Sequence, residues 1–113
     1  GLRSWGTKVI VAGPVKRAAV DLILATQPAH DDHSPASRHL RYGASPRGLQ
    51  AIVRAARINA LLEGRAHVAI EDLNRVALPA LRHRVLLKVE SELDGLDPDR
   101  VLRDIIGSWL NSR

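Results

Sequence analysis

Gly43-Ala44-Ser45-Pro46-Arg47-Gly48 is the stretch on which the reading of this chain turns. Ser45 belongs to the residue types that cap helix N-termini, and Pro46 suits the first helical position, where its missing N–H costs nothing. Beyond it Leu49, Ile52, Val53, Ala56 and Ala60 recur at helical spacing. They predict an amphipathic helix from Pro46 to about Glu63, with Gly64 as a left-handed C-cap. Arg47 then sits in the first turn, beside unpaired N–H groups and the positive end of the helix dipole. A cation there weakens the helix unless an anion offsets both charges. Phosphate would do so, because guanidinium and helix N–H groups both donate to its oxygens. Taken alone, Ser-Pro-Arg reads more simply as a common helix start with a solvated arginine.

Upstream, Pro14 opens a helix carried by Val15, Ala18, Ala19, Leu22 and Ile23, and Pro28 closes it. Residues 29–41 are polar and rich in helix-averse types, which predicts an exposed, mobile loop. Downstream, His67 to Ile70 reads as extended, followed by a helix from Glu71 with Leu73, Val76, Ala77, Leu78 and Leu81 on its apolar face and Pro79 as a kink. Arg84 to Val89 reads as a short strand or extended connector, and residues 90–96 as a loop. Asp97 caps a last helix that Pro98 begins, packed through Val101, Leu102, Ile105, Ile106, Trp109 and Leu110. The expected fold class is all-α: a small bundle of four helices with short extended connectors.

Composition supports a single aliphatic core. The chain has 113 residues, 45% of them hydrophobic, with no Phe and with Trp5, Trp109 and Tyr42 as the only aromatics. Leu, Ala and Arg in such proportion favour helices over a β-sandwich. With no cysteine there is no disulfide, thiolate metal site or thiol nucleophile. No apolar run is long enough to cross a bilayer and nothing resembles a secretory signal, so the cytoplasm is the default expectation. Gly1 and the lack of methionine read as an excised piece.

Lys and Arg number 17 against 12 Asp and Glu, and the pI is near 10.7. The excess is mostly arginine. It fits a phosphate or nucleic-acid partner, or simply a solvated surface from a GC-rich genome. A basic helical nucleic-acid-binding module is therefore the alternative reading, although the basic residues are spread over several helices and form no recognition motif. A purely structural helical adaptor is a third.

The blocks around the hexapeptide carry a resemblance. Tyr42-Gly43-Ala44-Ser45-Pro46-Arg47-Gly48-Leu49 is similar to the signature that opens a lid helix in MoxR-type AAA+ ATPases, relatives of the magnesium-chelatase AAA+ lids. Arg54-Ala55-Ala56-Arg57, Ala60 to Arg65, Val68, Glu71-Asp72-Leu73 and Val76 to Arg84 follow in the family's order, and Val20 to Thr26 resembles the helix before the loop. Gln27 stands where the family often has Arg, and Ala69-Ile70 where it often has Thr or Ser with Pro. The first departure gives no ground for a role at that loop; the second weakens a helix cap.

The resemblance implies a lid domain over residues 14–110, with 1–13 an irregular junction to a large nucleotide-binding domain N-terminal to Gly1. It implies that Arg47 is the catalytic second-sensor arginine reaching the ATP γ-phosphate, with Ser45, Pro46 and Arg54 beside it in nucleotide binding. ATP and Mg2+ would be used by the full-length protein and neither held stably by this chain alone. It further implies a hexameric ring, a chaperone-like function and a von Willebrand factor A domain partner. The chain contains no G-x-x-x-x-G-K-[ST] loop, and Gly13-Pro14-Val15-Lys16 is no substitute, so hydrolysis by these residues alone is not expected.

Other constellations carry less. His30-Asp31-Asp32-His33, with His39 beyond, offers metal-ligand types in a loop without a fixed supporting shell, and no metal site is expected. Arg54 and Arg57 read as a solvated stripe or as a contact with nucleotide or a neighbouring subunit; Arg82, His83 and Arg84 read as helix surface or subunit contact.

Overall fold

A computed structural model describes residues 9–28 and 34–113, and within them the chain is mostly helical. Helix α1 spans Gly13–Ala25, α2 Pro35–His39, α3 Pro46–Leu62, α4 Ile70–Leu81, α5 Val89–Leu93 and α6 Pro98–Asn111; strands β1, Leu40–Tyr42, and β2, Leu86–Leu87, form a small antiparallel pair. The all-α expectation holds, with two short helices and a two-stranded corner added to the four expected helices.

The apolar stripes face inward as their spacing requires. Ala18, Ala19, Leu22 and Ile23 of α1, Ile52, Ala56 and Ala60 of α3, Leu73, Ala77 and Leu81 of α4, and Val101, Leu102, Ile105, Ile106 and Trp109 of α6 are buried in one core. Small residues on α3 let it approach α4 closely, and these two helices share the most extensive contact. Leu110, expected in the core, is instead 37% exposed at the end of α6. The Trp109 indole is buried and donates Nε1–H to the Ala18 carbonyl at 2.8 Å, fastening α6 to α1. Ile10 pairs with His67 in an isolated parallel bridge, so the stretch before α4 is extended as expected.

Two stretches read as loops are ordered. Within the expected loop 29–41, residues 34–41 form α2 and most of β1, while residues 29–33 lie outside the described residues. Ser34 accepts from the Ser37 amide with Pro35 at the first helical position, the same start that Ser45 and Pro46 give α3. Its apolar content was too small to register as a stripe. Lys88 donates from Nζ to the Ser37 carbonyl at 2.7 Å, and its amide to the His39 carbonyl at 2.8 Å, closing the corner. Within 90–96, residues up to Leu93 complete α5, which Asp94 caps before Gly95 turns the chain with φ +75°.

Candidate functional site

The start of α3 is built from both sides. Ser45 has extended dihedrals (φ −86°, ψ 176°), and its Oγ accepts from the Arg47 amide at 3.2 Å. Its carbonyl accepts from the Gly48 amide at 2.8 Å, which closes the first turn. Pro46 follows at the first helical position, and Ser45, Pro46 and Arg47 are all exposed. The first turn contains no acidic residue, and among the described residues nothing pairs with the Arg47 guanidinium. A free guanidinium therefore stands at the positive end of a 17-residue helix.

The residue just before the cap is held on both of its backbone groups. Ala44 is 3% exposed, so its N–H and C=O need protein partners. Thr26 at the end of α1 accepts the Ala44 amide on Oγ1 at 3.0 Å and donates its own hydroxyl to the Ile23 carbonyl at 2.6 Å. Gln27 donates Nε2 to the Ala44 carbonyl at 2.7 Å. Gly43 makes this docking possible: a Cβ there would lie 2.3 Å from the Thr26 carbonyl oxygen. Gly48, buried in the first turn of α3, sits against the other side of Ala44, for a Cβ on it would be 3.0 Å from the Ala44 methyl and 3.6 Å from Arg84 Cδ.

Arg54 lies two turns along α3 from Arg47, about 10 Å at 1.5 Å per residue. It is exposed and lines, with Lys16, Val20, Leu49, Val53 and Arg57, a groove of about 520 Å3 between α1 and α3. Arg57 is more enclosed than a solvated stripe would have it, and its Nε is buried without a partner. Arg82, read as a surface or subunit contact, is tied within the chain to Asp99 by Nε–Oδ1 at 3.0 Å. His83 and Arg84 are exposed beside the α3–α4 groove. His30 to His33 lie outside the described residues, and His39 is engaged with Ser91, Nδ1 to Oγ at 3.2 Å.

Two features escaped the sequence. Gln27 was left without a role because nothing local links it to Ala44, 17 residues on. Asp72, read only as part of an acidic helix start, is a buried carboxylate that accepts from Asn59, Arg65 and the Ala69 amide. An acid at the third helical position is a visible half of a capping box, but its burial and its arginine are tertiary facts.

The comparisons bear on this arrangement. The AAA lid domain family model matches residues 34–105, which contain α2 to most of α6. Protein MoxR of Paracoccus denitrificans is 50% identical over 52 residues, 46% of this chain and 15% of the relative. Chaperone MoxR1 of Mycobacterium tuberculosis is 37% identical over 65 residues, 58% of this chain and 17% of the relative. A crystal structure of a protein assigned as an ATPase in Cytophaga hutchinsonii superposes with a TM-score of 0.85 at 28% identity, over 92% of this chain and 32% of that one. The chain thus spans less than a third of each of these proteins. Family model, relatives and superposition converge: the chain belongs to the AAA lid domain family and is a lid of the MoxR type of AAA+ ATPase.

Proposed function

We propose that Arg47 is the second-sensor arginine of an ATP-hydrolysing, chaperone-like machine, and that residues 14–110 act as the lid that carries it. One observation supports this most: an exposed guanidinium, free of carboxylates among the described residues, placed in the first turn of α3. The arrangement is unfavourable to the helix by itself and suits a terminal phosphate. Arg47 would donate to γ-phosphate oxygens of ATP bound in a separate nucleotide domain, where a fixed cation offsets charge in phosphoryl transfer. Ser45 and Pro46 set the helix start; Arg54, further along α3, would make a secondary contact. When the γ-phosphate leaves, Arg47 loses its partner and the lid is released to move.

Among the described residues no cluster of three or more potential metal ligands gathers. Mg2+ would take its ligands from the nucleotide domain and ATP. A hexameric ring and a von Willebrand factor A domain partner belong to the same reading. No helix among the described residues is long and apolar enough to cross a membrane, which is compatible with a cytoplasmic setting. The nucleic-acid alternative is not favoured: Arg65, Arg75, Arg82 and Arg113 are engaged in ion pairs within the chain, which takes them out of any basic surface.

The test is Arg47→Ala in the full-length protein. ATP turnover is expected to fall at least about tenfold, the scale of a lost transition-state contact, while circular dichroism stays unchanged and the melting temperature of the lid does not fall. Undiminished turnover removes the sensor role.

A further inference from the structure

We infer that Thr26 and Gln27 form a positioning device for Arg47: by holding both backbone polar groups of Ala44 they fix where α3 begins and which way its first-turn arginine points. The inference rests on the second-sensor reading for its functional meaning, but its geometry stands apart from it.

Ala44 lies in neither a helix nor a strand, so no backbone ladder satisfies it. Two side chains do what a paired strand would otherwise do. Thr26 Oγ1 receives the Ala44 N–H at 3.0 Å, and Gln27 Nε2 reaches the Ala44 carbonyl at 2.7 Å. Thr26 is fully buried, and its hydroxyl proton is committed to the Ile23 carbonyl, so Oγ1 faces Ala44 as an acceptor. Gln27 Nε2 also lies 3.1 Å from the Ile23 carbonyl and 3.2 Å from Thr26 Oγ1, so the side chain is seated on the end of α1 rather than swinging from it.

Little freedom remains between this clamp and the guanidinium. Ser45 is fixed as the cap through its bond to the Arg47 amide, and the ring of Pro46 locks its φ. The Ala44 methyl bears on the first turn at Gly48. A shift of Ala44 against α1 must therefore move the base of Arg47. The far side of the device is anchored as well, because α1 is fastened to α6 by the Trp109–Ala18 hydrogen bond. Thr26 and Gln27 are accordingly positioning residues that act through Ala44 and do not themselves touch nucleotide.

Two measurements test this. The first is amide hydrogen exchange of this chain with Gln27→Glu, which keeps the shape of Gln27 but removes its donor, and with Thr26→Val, which removes the acceptor. Exchange is expected to quicken at least tenfold at Ala44 and in the first turn of α3 at Gly48 and Leu49, with amides of α4 and α6 unchanged. Unchanged exchange at Ala44, or equal quickening everywhere, overturns the device. The second is ATP turnover of the full-length protein with Gln27→Glu, alone and combined with Arg47→Ala. A several-fold loss alone and none further in the combined variant is the expected coupling; equal losses in both backgrounds overturn action through Arg47. If Arg47→Ala by itself leaves turnover intact, the second-sensor reading fails, and the exchange data alone decide whether the clamp orients the helix start.

Discussion

Arg65 meets both oxygens of the Asp72 carboxylate, Nη1 to Oδ2 at 2.7 Å and Nη2 to Oδ1 at 2.6 Å. The same carboxylate accepts Asn59 Nδ2 on Oδ1 and the Ala69 amide on Oδ2, each at 2.7 Å, and its side chain is wholly buried. One group thus joins the end of α3, the connecting turn and the first turn of α4. Glu63 extends the cluster by bridging Arg65 and Arg75. The elbow between α3 and α4 is fixed at the end opposite Arg47, so α3 presents its arginine from a rigid pair.

Acid should loosen that elbow. Burial, the strongest single influence, pushes the Asp72 carboxyl up, but the Arg65 guanidinium, the Ala69 amide and Asn59 together outweigh it and hold the group down to about 2 from an ordinary 3.8. The stabilisation is therefore whole above pH 3.8 and is lost as pH falls toward 2, because only the unfolded chain binds the proton in that interval. Urea midpoints followed from pH 5 to about 2 should decline along this limb, and Asp72→Asn should flatten it. Asp72→Asn should also cost about 2–4 kcal/mol near neutral pH, since it strips the charge from a buried network while leaving its donors in place. An acid limb unchanged in the variant would assign the effect to other carboxylates.

The four long helices were legible because the period of apolar residues and the Ser-Pro and Asp-Pro starts are local signals, whereas α2 and α5 are too short to show a period. Gly64, placed as a left-handed cap from sequence, has φ +75°. At the candidate site the helix start at Ser45, Pro46 and Arg47 was legible, again because a cap and a first turn are local. What was missed joins residues on different elements: Gln27 to Ala44, Lys88 to Ser37 and Arg65 to Asp72 are pairings that no periodicity encodes. Polar side chains cause most of these misses, since a sequence shows that a Gln or Asp is polar but not which buried backbone group it will satisfy.

Arg47→Glu should separate stability from activity. Reversing the charge places an anion at the positive end of α3, worth about 0.3–1 kcal/mol to an exposed helix terminus. The melting temperature of the chain should rise slightly while turnover of the full-length protein falls at least as far as with Arg47→Ala. A drop in stability would show that the cation already has a stabilising partner within the fold.

Two glycines should respond differently to alanine. Gly64 needs only its left-handed backbone, with open space where a Cβ would go, so Gly64→Ala should cost about 1 kcal/mol. Gly43 has no such backbone requirement but faces the Thr26 carbonyl at 2.3 Å from an added Cβ, and backbone cannot swing aside. Gly43→Ala should therefore cost more, about 2–3 kcal/mol on the scale of overpacked sites, and should quicken amide exchange at Ala44 first. Equal costs in chemical denaturation would mean that α1 and the Gly43 segment separate easily.

Trp109→Phe tests the anchor of α1. The indole is 4% exposed, and its Nε1–H is the buried link to the Ala18 carbonyl. Phenylalanine keeps an aromatic ring but loses that bond and leaves a gap, at a combined cost of about 2–3 kcal/mol. Arg113 lies over the same ring at 5.9 Å from its centroid and also pairs with Asp21 at 3.0 Å, but both contacts are at the surface. Arg113→Ala should therefore cost under about 1 kcal/mol. If the order of the two variants were reversed in urea unfolding, the tie between α6 and α1 would rest on the terminal arginine rather than on the buried indole.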